Sequence, residues 1–234
     1  MVIYVHGGTG NAYSLIDEPE AFAAQGIAGF TIECCGGTKM NPQSGGLKIF
    51  PSDYTSRIID VETAIEYVKT LDYVDTDQIY LYGQSYGGLV VMMDAPCHND
   101  DIKGVILEST GMDESGAMLD GAGRKGRLEE YAAPADWQGY MKEYTGDVII
   151  FCSQGDNAAH ANGQYTSTIY SERTQGEVKF YSFAGGDHSW VAFTDAAKLT
   201  SLEAMAKFIK EGEYLPWGNV FEDEPENGDV PSGE

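Results

Sequence analysis

The stretch Gly83–Gly88, with the sequence Gly-Gln-Ser-Tyr-Gly-Gly, lies between two apolar runs of the chain. The run before it, Gln78–Tyr82, is typical of a short buried strand, and the run after it, Leu89–Met93, favours a helix. A serine between glycines at such a junction occupies a strained strand-to-helix turn, because side chains on the flanking residues would collide with neighbouring backbone. The pattern predicts that Ser85 is a nucleophile at the carboxyl edge of a parallel sheet. An ordinary turn whose serine caps the helix is the alternative.

Segments typical of strands and helices alternate along most of the chain. Alternation of this kind predicts an α/β fold, with a mostly parallel sheet of about six strands, helices on both faces and right-handed crossovers. Such sheets bind ligands beyond the carboxyl ends of their strands. The predicted strands are Val2–Val5, Ile27–Cys35, Gln78–Tyr82, Ile102–Glu108, Asp147–Ser153 and Val178–Phe183. The predicted helices are Leu15–Gln25, Ser56–Thr70, Tyr86–Ala95, Ala161–Arg173 and Asp195–Lys210.

Two stretches interrupt the alternation. Residues 111–145 separate two predicted strands, and this length predicts a short cap insertion over the site. Residues 213–234 carry seven acidic residues, no basic ones, and several glycines and prolines, which favours a disordered tail with no role beyond solvation. We therefore expect one catalytic domain over residues 1–212. A basic cluster in the insertion is either a solvated face or a binding group for a carboxylate substrate: Arg124, Lys125 and Arg127.

The charge balance excludes two classes of partner. The chain has 37 acidic against 14 basic residues among 234, a net charge of −23. Nucleic acids and anionic membranes both attract basic surfaces, so neither is an expected partner. No apolar run approaches about 18 residues, the length that spans a bilayer. The chain opens on a strand pattern without a leader-like segment, so the sequence predicts a cytoplasmic protein.

The four cysteines and four histidines form no recognised metal or disulfide pattern. No two cysteines have Cys-x-x-Cys spacing, and no histidines have the His-Glu-x-x-His spacing of a helical zinc site. The sequence therefore predicts reduced, mostly buried thiols, no metal site and no cofactor.

A nucleophilic serine needs a general base and an acid that orients it. His188 lies just past the last predicted strand, where the base belongs in the chain order serine, acid, histidine. Asp156 lies just past the strand Asp147–Ser153 and is the predicted acid, because it falls at the carboxyl edge. Glu108 and Asp113, after the preceding strand, stay open as alternatives. Asp187 is disfavoured, because neighbouring residues rarely place their side chains for that hydrogen bond.

Acyl transfer also needs N–H donors where negative charge develops on the substrate oxygen. The predicted donors are the N–H of Tyr86, directly after the nucleophile, and the N–H of Gly8 in the loop that follows the first strand. Glycines in that loop let the backbone approach a substrate closely. His6, in the same loop, is predicted to be structural. A simple glycine turn is the alternative.

With a His-Gly-Gly loop, the turn at Ser85, and an acid and a histidine after the last two strands, the chain resembles α/β-hydrolase-fold serine hydrolases over about residues 1–212. Three stretches are more specifically similar to bacterial cinnamoyl (feruloyl) esterases and their serine-aminopeptidase-like relatives: Cys35–Thr38, Ile59–Lys69 and Tyr73–Gly88. The resemblance implies hydrolysis of hydroxycinnamoyl esters by a triad of Ser85, Asp156 and His188. It also implies a cap that supplies an aromatic wall, and the candidates for substrate contact are Trp137, Tyr140 and Trp190. Packing within the cap is the alternative for these aromatic residues.

The sequence departs from the family at its start and beside the nucleophile. Members usually carry further strands before the His-Gly-Gly strand, whereas Met1 opens on that strand here, which indicates a truncated start or a reduced domain. The strand Ile27–Cys35 would then be an uncovered edge, and we expect self-association along it. Tyr86 replaces a residue that is often glutamine, and its bulk is expected to alter the acyl preference.

The sequence thus predicts an enzyme that hydrolyses small-molecule carboxylic esters, with cinnamoyl or feruloyl esters as the specific expectation. A peptidase, thioesterase or lipase with the same triad is one alternative. A non-catalytic binding protein on the same fold is an alternative of another class.

Overall fold

The computed structural model describes residues 1–8, 10–34, 54–112 and 136–215 of the chain. Within these ranges six strands form one fully parallel sheet in the order β2-β1-β3-β4-β5-β6. The strands are β1 (Val2–Val5), β2 (Gly29–Ile32), β3 (Tyr80–Gln84), β4 (Gly104–Glu108), β5 (Asp147–Ser153) and β6 (Val178–Phe183). The predicted parallel sheet of about six strands is confirmed.

Helices lie between the strands and after the last one. They are α1 (Asp17–Ala23), α2 (Tyr54–Lys69), α3 (Tyr86–Asp94), α4 (Trp137–Met141), α5 (Asn157–Ser171) and α6 (Asp195–Glu211), and short 3-10 turns cover Ala12–Leu15, Ala95–His98 and Trp190–Ala192. The sequence pattern did not predict α4. The predicted start of α5 is one turn too late, because Asp156 caps this helix by accepting the N–H of Ala159 at 3.2 Å.

The sheet separates two apolar layers, since successive side chains of a strand point to opposite faces. In β1, Ile3 and Val5 pack on the face covered by α2 and α3, whereas Val2 and Tyr4 pack on the face covered by α1 and α6. Removing each such aliphatic side chain from water stabilises the fold by about 1.5–3 kcal/mol. Every residue of α3 is buried, so the helix behind Ser85 lies entirely inside the domain.

The register of the strands brings their carboxyl ends to one edge. Val5 pairs with Gly83, and Gln84 pairs with Glu108. Along the same edge, Ser153 at the end of β5 pairs with Phe183 at the end of β6. The loops that carry the predicted site residues all leave the sheet from these ends, which positions them for a shared site.

Strand β2 lies at one end of the described sheet and pairs with β1. It is shorter than predicted, and its burial increases along the strand, from an exposed Gly29 to a buried Ile32. Among the described residues no strand pairs with the other side of β2, which agrees with the predicted edge position. Self-association along it stays a prediction.

Several predictions concern residues outside the described ranges. These are most of the cap with Arg124, Lys125 and Arg127, the alternative acid Asp113, the stretch Cys35–Thr38 and nearly all of the tail. Within the described ranges, Cys34 and Cys152 are buried and Cys97 is exposed. None of the described helices combines the length and hydropathy that crossing a membrane requires.

Candidate active site

Ser85 lies in a strained turn between β3 and α3. Its backbone angles, φ 51° and ψ −116°, fall in a sparsely populated region whose cost is about 1–3 kcal/mol. Its N–H donates to the carbonyl oxygen of Glu108 at 2.8 Å, and its carbonyl oxygen accepts from the Thr110 hydroxyl at 2.7 Å. The Ser85 side chain makes no capping hydrogen bond to α3. The hydroxyl is therefore not used as a helix cap, which removes the main support for the alternative interpretation.

Three glycines make this turn possible because backbone passes where side chains would be. A Cβ on Gly83 would lie 2.5 Å from the Cα of Gly88, and one on Gly87 would lie 2.1 Å from the carbonyl oxygen of Val5. A Cβ on Gly88 would lie 2.3 Å from the Thr110 side chain. Non-bonded carbon atoms pack at about 3.5–4.0 Å, so larger residues at these positions would displace β1, β4 or the turn itself.

The glycine loop after β1 runs beside the first turn of α3. A Cβ on Gly8 would lie 3.6 Å from the Cβ of Tyr86, and one on Gly7 would lie 3.4 Å from the Cβ of Ser85. The two predicted oxyanion donors, the N–H groups of Gly8 and Tyr86, therefore belong to adjacent segments next to the serine. This proximity is what an oxyanion hole requires.

Arg57 of α2 supports this loop from the protein interior. Its guanidinium donates to the carbonyl oxygen of His6 at 3.0 Å and lies 4.8 Å from the centre of the Tyr86 ring. The side chain is almost fully buried. Its position four residues before Val61 places it on the apolar face of α2, and a lone arginine on such a face is the sequence signal that could have identified it.

His6 is structural, as the sequence predicted. The Cys34 N–H donates to His6 Nε2 at 3.3 Å, so the proton of the neutral ring is on Nδ1, which contacts the carbonyl oxygen of Gly7 at 2.8 Å. Burial, reinforced by the positive charge of Arg57, lowers the pKa of His6 to about 4. The imidazole is therefore neutral at physiological pH and links the glycine loop to the segment after β2.

Asp156 and His188 form a hydrogen-bonded pair at the carboxyl edge. His188 Nδ1 contacts Asp156 Oδ2, while Oδ1 of the same carboxylate caps α5. With Nδ1 bound to the acid, Nε2 is the ring nitrogen available for proton transfer. The carboxylate of Asp187, which the sequence disfavoured as the acid, accepts the backbone N–H of His188 at 2.7 Å.

The loops that carry Asp156 and His188 pack closely on one another. A Cβ on Gly155 would lie 1.8 Å from the carbonyl oxygen of Gly186. The Ser153 hydroxyl contacts the carbonyl oxygen of Gly185, and the Gln154 N–H donates to the carbonyl oxygen of Phe183 at 2.8 Å. Gly155 is thus required where the two backbones meet, and the contact fixes the distance between the acid and the base.

Glu108 at the end of β4 connects the two halves of the site. Its carbonyl oxygen holds the Ser85 N–H, and its buried carboxylate accepts from the Trp190 N–H and the Tyr82 hydroxyl. Burial raises the pKa of Glu108, although these hydrogen bonds oppose the shift. From the sequence, Glu108 is a candidate only for the catalytic acid, whereas in the structure it holds the serine turn and the histidine loop on the same strand.

Three non-glycine residues among those described have positive φ, and all three belong to this edge. They are Ser85 at 51°, Ser109 at 48° and Ser189 at 77°. Ser189 donates its N–H to the Ser109 hydroxyl at 3.0 Å, so the loop of His188 is tied to the end of β4. Strained backbone concentrates at functional sites, where the surrounding structure maintains it.

The structure does not bring all of the predicted site residues into contact. No hydrogen bond links the Ser85 hydroxyl to His188 in this structure, and the His188 side chain is 45% exposed. The Tyr140 hydroxyl donates to the carbonyl oxygen of Met93, near the far end of α3. The Trp190 indole is packed in the core with α6, where it donates to the Ser201 hydroxyl at 3.0 Å. Substrate roles for Trp137, Tyr140 and Trp190 stay predictions, and the contacts of the last two are those of packed side chains.

The chain matches the model of the prolyl oligopeptidase family, peptidase S9, over residues 54–212. This range holds Ser85, Asp156 and His188, and it covers more than half of the chain. No curated protein sequence matches the chain.

Solved structures of hydrolases share the fold. The esterase Est1E of Butyrivibrio proteoclasticus, solved with ferulic acid bound, is 23% identical with a TM-score of 0.66, and the match covers 89% of this chain and 87% of that one. A thermophilic esterase of Thermogutta terrifontis is 18% identical with a TM-score of 0.64, over 93% and 85% of the two chains. A puromycin-hydrolysing peptidase of Mycobacterium tuberculosis is 16% identical with a TM-score of 0.70, over 94% of this chain and 35% of that one.

Identities this low establish the fold alone, and the fold is the α/β-hydrolase fold that the sequence predicted. The family match carries the assignment further, because it spans the serine turn, the acid and the histidine. The chain belongs to the prolyl oligopeptidase family and is a serine hydrolase of the α/β-hydrolase fold.

Proposed function

We propose that this enzyme hydrolyses carboxylic esters through an acyl intermediate on Ser85. The observation that carries the proposal is the hydrogen bond between His188 and Asp156, at the sheet edge that also holds the strained turn of Ser85. An oriented imidazole and a serine on such a turn are the two parts that nucleophilic catalysis needs.

In the first half of the reaction, the Ser85 hydroxyl oxygen attacks the carbonyl carbon of the ester. His188 Nε2 takes the hydroxyl proton, and Asp156 stabilises the imidazolium that forms. The ring of His188 is partly exposed, and its bond to the serine forms when substrate excludes water, since such bonds are often loose in the absence of substrate. The tetrahedral adduct then collapses, the ester bond breaks, and Nε2 returns the proton to the leaving alcohol.

In the second half, water takes the place of the alcohol. His188 Nε2 removes a proton from water, the resulting hydroxide attacks the acyl carbon, and Ser85 leaves with the proton from the imidazolium. The product is a carboxylic acid, and the enzyme returns to its starting state. In both halves the N–H groups of Gly8 and Tyr86 donate to the developing oxyanion, and one such donor contributes about 3–4 kcal/mol of barrier reduction.

The substrate class that we favour is a hydroxycinnamoyl ester. The support is the fold shared with Est1E, whose structure contains ferulic acid, together with the sequence similarity around the serine turn.

Peptide hydrolysis is the second candidate. The family that matches the chain is named for a peptidase, and a puromycin-hydrolysing peptidase shares the fold. The same triad chemistry cleaves an amide when the leaving amine is protonated by the imidazolium. The two candidates therefore differ in the substrate pocket and not in the catalytic residues.

A substrate panel on the purified chain tests both candidates. We expect turnover of p-nitrophenyl acetate and methyl ferulate, and much slower turnover of aminoacyl p-nitroanilides. A fluorophosphonate should label Ser85, as located by mass spectrometry of the labelled peptide. Faster cleavage of the anilides than of the esters would favour the peptidase, and absence of label would favour a non-catalytic protein.

The Ser85→Ala variant identifies the nucleophile. Turnover on either ester should fall by several orders of magnitude, because the remaining groups cannot form the acyl intermediate. Ser171→Ala is the matched control, since this serine is exposed on α5 and should leave turnover unchanged. A Ser85→Ala variant as fast as the parent would disprove the proposal.

A further inference from the structure

A second cluster of ionisable side chains lies at the opposite end of α3 from Ser85. Glu62 of α2, Asp94 at the end of α3 and His98 in the following 3-10 turn each offer one ligand atom, and these atoms all lie within 4.8 Å of one another. Asp94 follows Ser85 by nine residues along α3, a rise of roughly 14 Å. The cluster is therefore separate from the candidate active site.

The burial of Asp94 distinguishes this cluster from a group of acidic residues on the protein surface. Its side chain is fully buried, and neither carboxylate oxygen has a hydrogen-bond partner among the described residues. His98 Nε2 lies 3.5 Å from Oδ1, which is longer than an ordinary hydrogen bond. A buried carboxylate without hydrogen bonds is costly, and such groups in proteins usually pair with a cation or coordinate a metal.

His98 is oriented in the manner of a metal ligand. Its Nε2 faces Asp94, while its Nδ1 lies 3.6 Å from Oδ2 of Asp101. Asp101 is held in turn by Lys69, whose ammonium group is 2.7 Å from Oδ1. Histidines that bind metals commonly have a carboxylate beside the second ring nitrogen, because it fixes the ring and raises its basicity.

We propose that Glu62, Asp94 and His98 bind one divalent transition-metal ion of the Zn²⁺ class. One imidazole and two carboxylates form a ligand set that suits Zn²⁺ better than Mg²⁺ or Ca²⁺, which prefer oxygen ligands alone. A tetrahedral zinc ion with bonds of about 2.0–2.1 Å needs ligand atoms about 3.4 Å apart. The distance of 3.5 Å between His98 and Asp94 already meets this requirement. The Glu62 oxygen lies within 4.8 Å of both atoms, so binding requires this half-buried side chain to move closer.

The bound ion would connect two elements that are distant in sequence. Glu62 lies in the middle of α2, whereas Asp94 and His98 close the segment that follows Ser85. A ligand that binds only the folded chain stabilises it, so the ion should raise the unfolding temperature. An ion pair between Asp94 and His98 alone is the competing explanation, and it requires neither Glu62 nor a metal.

Calorimetric titration of the chelator-treated chain with ZnCl₂, in a His188→Ala background, tests the proposal. This background removes the other imidazole–carboxylate pair, at Asp156, from competition for the ion. We expect one site of high affinity, with an increase in unfolding temperature at saturation. Asp94→Asn and Glu62→Gln should each weaken binding at least tenfold, and Asp101→Asn should weaken it about tenfold through His98. X-ray absorption of the zinc-loaded chain should show one imidazole nitrogen and carboxylate oxygens at about 2.0–2.1 Å.

Glu66→Gln is the matched control, because Glu66 lies one turn further along α2 and pairs with Lys69. It should leave the affinity unchanged, and circular dichroism should show that Glu62→Gln is folded. Absence of binding up to millimolar Zn²⁺ would overturn the proposal. Equal affinities of the parent, Asp94→Asn and Glu62→Gln chains would also overturn it, because the ion would then bind to other acidic residues on the surface.

Discussion

The N–H of Ser85 donates to the carbonyl oxygen of Glu108 at 2.8 Å, so the serine turn is anchored to the end of the neighbouring strand. The carboxylate of the same glutamate accepts from the Trp190 N–H in the loop of His188. One residue therefore holds the nucleophile through its main chain and the base through its side chain. The precision of the site depends on both of these contacts.

We predict that Glu108→Ala lowers kcat by up to about 10²-fold with a smaller change in KM, since a displacement of about 1 Å has that effect on a positioned base. Glu108→Gln keeps a carbonyl acceptor for the Trp190 N–H and should restore most of the activity. Steady-state kinetics of the two variants on p-nitrophenyl acetate provide the measurement. Equal losses in both variants would indicate that the negative charge matters and not the position.

The acid assignment predicts that Asp156→Asn lowers kcat by about 10⁴-fold, because the imidazole loses the carboxylate that fixes its tautomer. Asparagine caps a helix as well as aspartate does, so α5 should remain intact. Asp187→Asn is the control, since the Asp187 carboxylate accepts from the backbone N–H of His188 and not from its ring, and this variant should retain activity within about tenfold of the parent. A larger loss of kcat in Asp187→Asn than in Asp156→Asn would refute the assignment.

The steric account of the serine turn predicts that Gly87→Ala destabilises the chain by more than about 3 kcal/mol, because the added carbon would lie 2.1 Å from the carbonyl oxygen of Val5. Gly26 has a positive φ, of 78°, but no atom within 4 Å of an added Cβ. Gly26→Ala should therefore cost only the backbone strain, about 1–2 kcal/mol. Urea unfolding of both variants measures the difference, and similar losses would contradict the steric account.

Glu18 provides a test of pH dependence. It is fully buried in α1, neither carboxylate oxygen has a partner among the described residues, and burial followed by the charge of Glu108 raises its pKa. A carboxyl group whose pKa is raised on folding binds more protons in the folded chain than in the unfolded chain. Its stabilising contribution is therefore complete below the unfolded pKa of about 4.3 and is lost as the pH rises.

We expect Glu18→Gln to unfold at a higher temperature than the parent at pH 8 and to lose less stability between pH 5 and pH 8, as measured by thermal unfolding across that range. Each kcal/mol gained corresponds to about 2–4 °C for a chain of this size. Glu20→Gln on the same helix is the control, since Glu20 is exposed. If the stabilities of the parent and the variant changed equally between pH 5 and pH 8, burial would not raise the pKa of Glu18.

The sequence was sufficient for the sheet and for placing Ser85, Asp156 and His188 at its carboxyl edge, because both depend on local patterns. The strands β5 and β6 have the predicted bounds, and the pairing of Asp156 with His188 follows from where each residue leaves the sheet. The roles of Arg57 and Glu108 could not be read in the same way, since each depends on which distant backbone groups the fold brings to a buried charge.

The cluster at the far end of α3 shows the same limit. Asp94 and His98 are four residues apart, a spacing that indicates contact across a helical turn. Glu62 comes from another helix, and its approach depends on how α2 packs on α3. Motif spacing along the chain, which predicted no metal site, cannot detect a ligand set of this kind.

The two oxygens of Asp156 have separate partners, one in the first turn of α5 and the other in the ring of His188. The orientation of the His188 imidazole therefore depends on whether the first turn of α5 stays folded. Fraying of α5 would release the ring while the sheet remained folded. Heat inactivation of this enzyme would then begin below the temperature at which the domain melts, and cooling would reverse it.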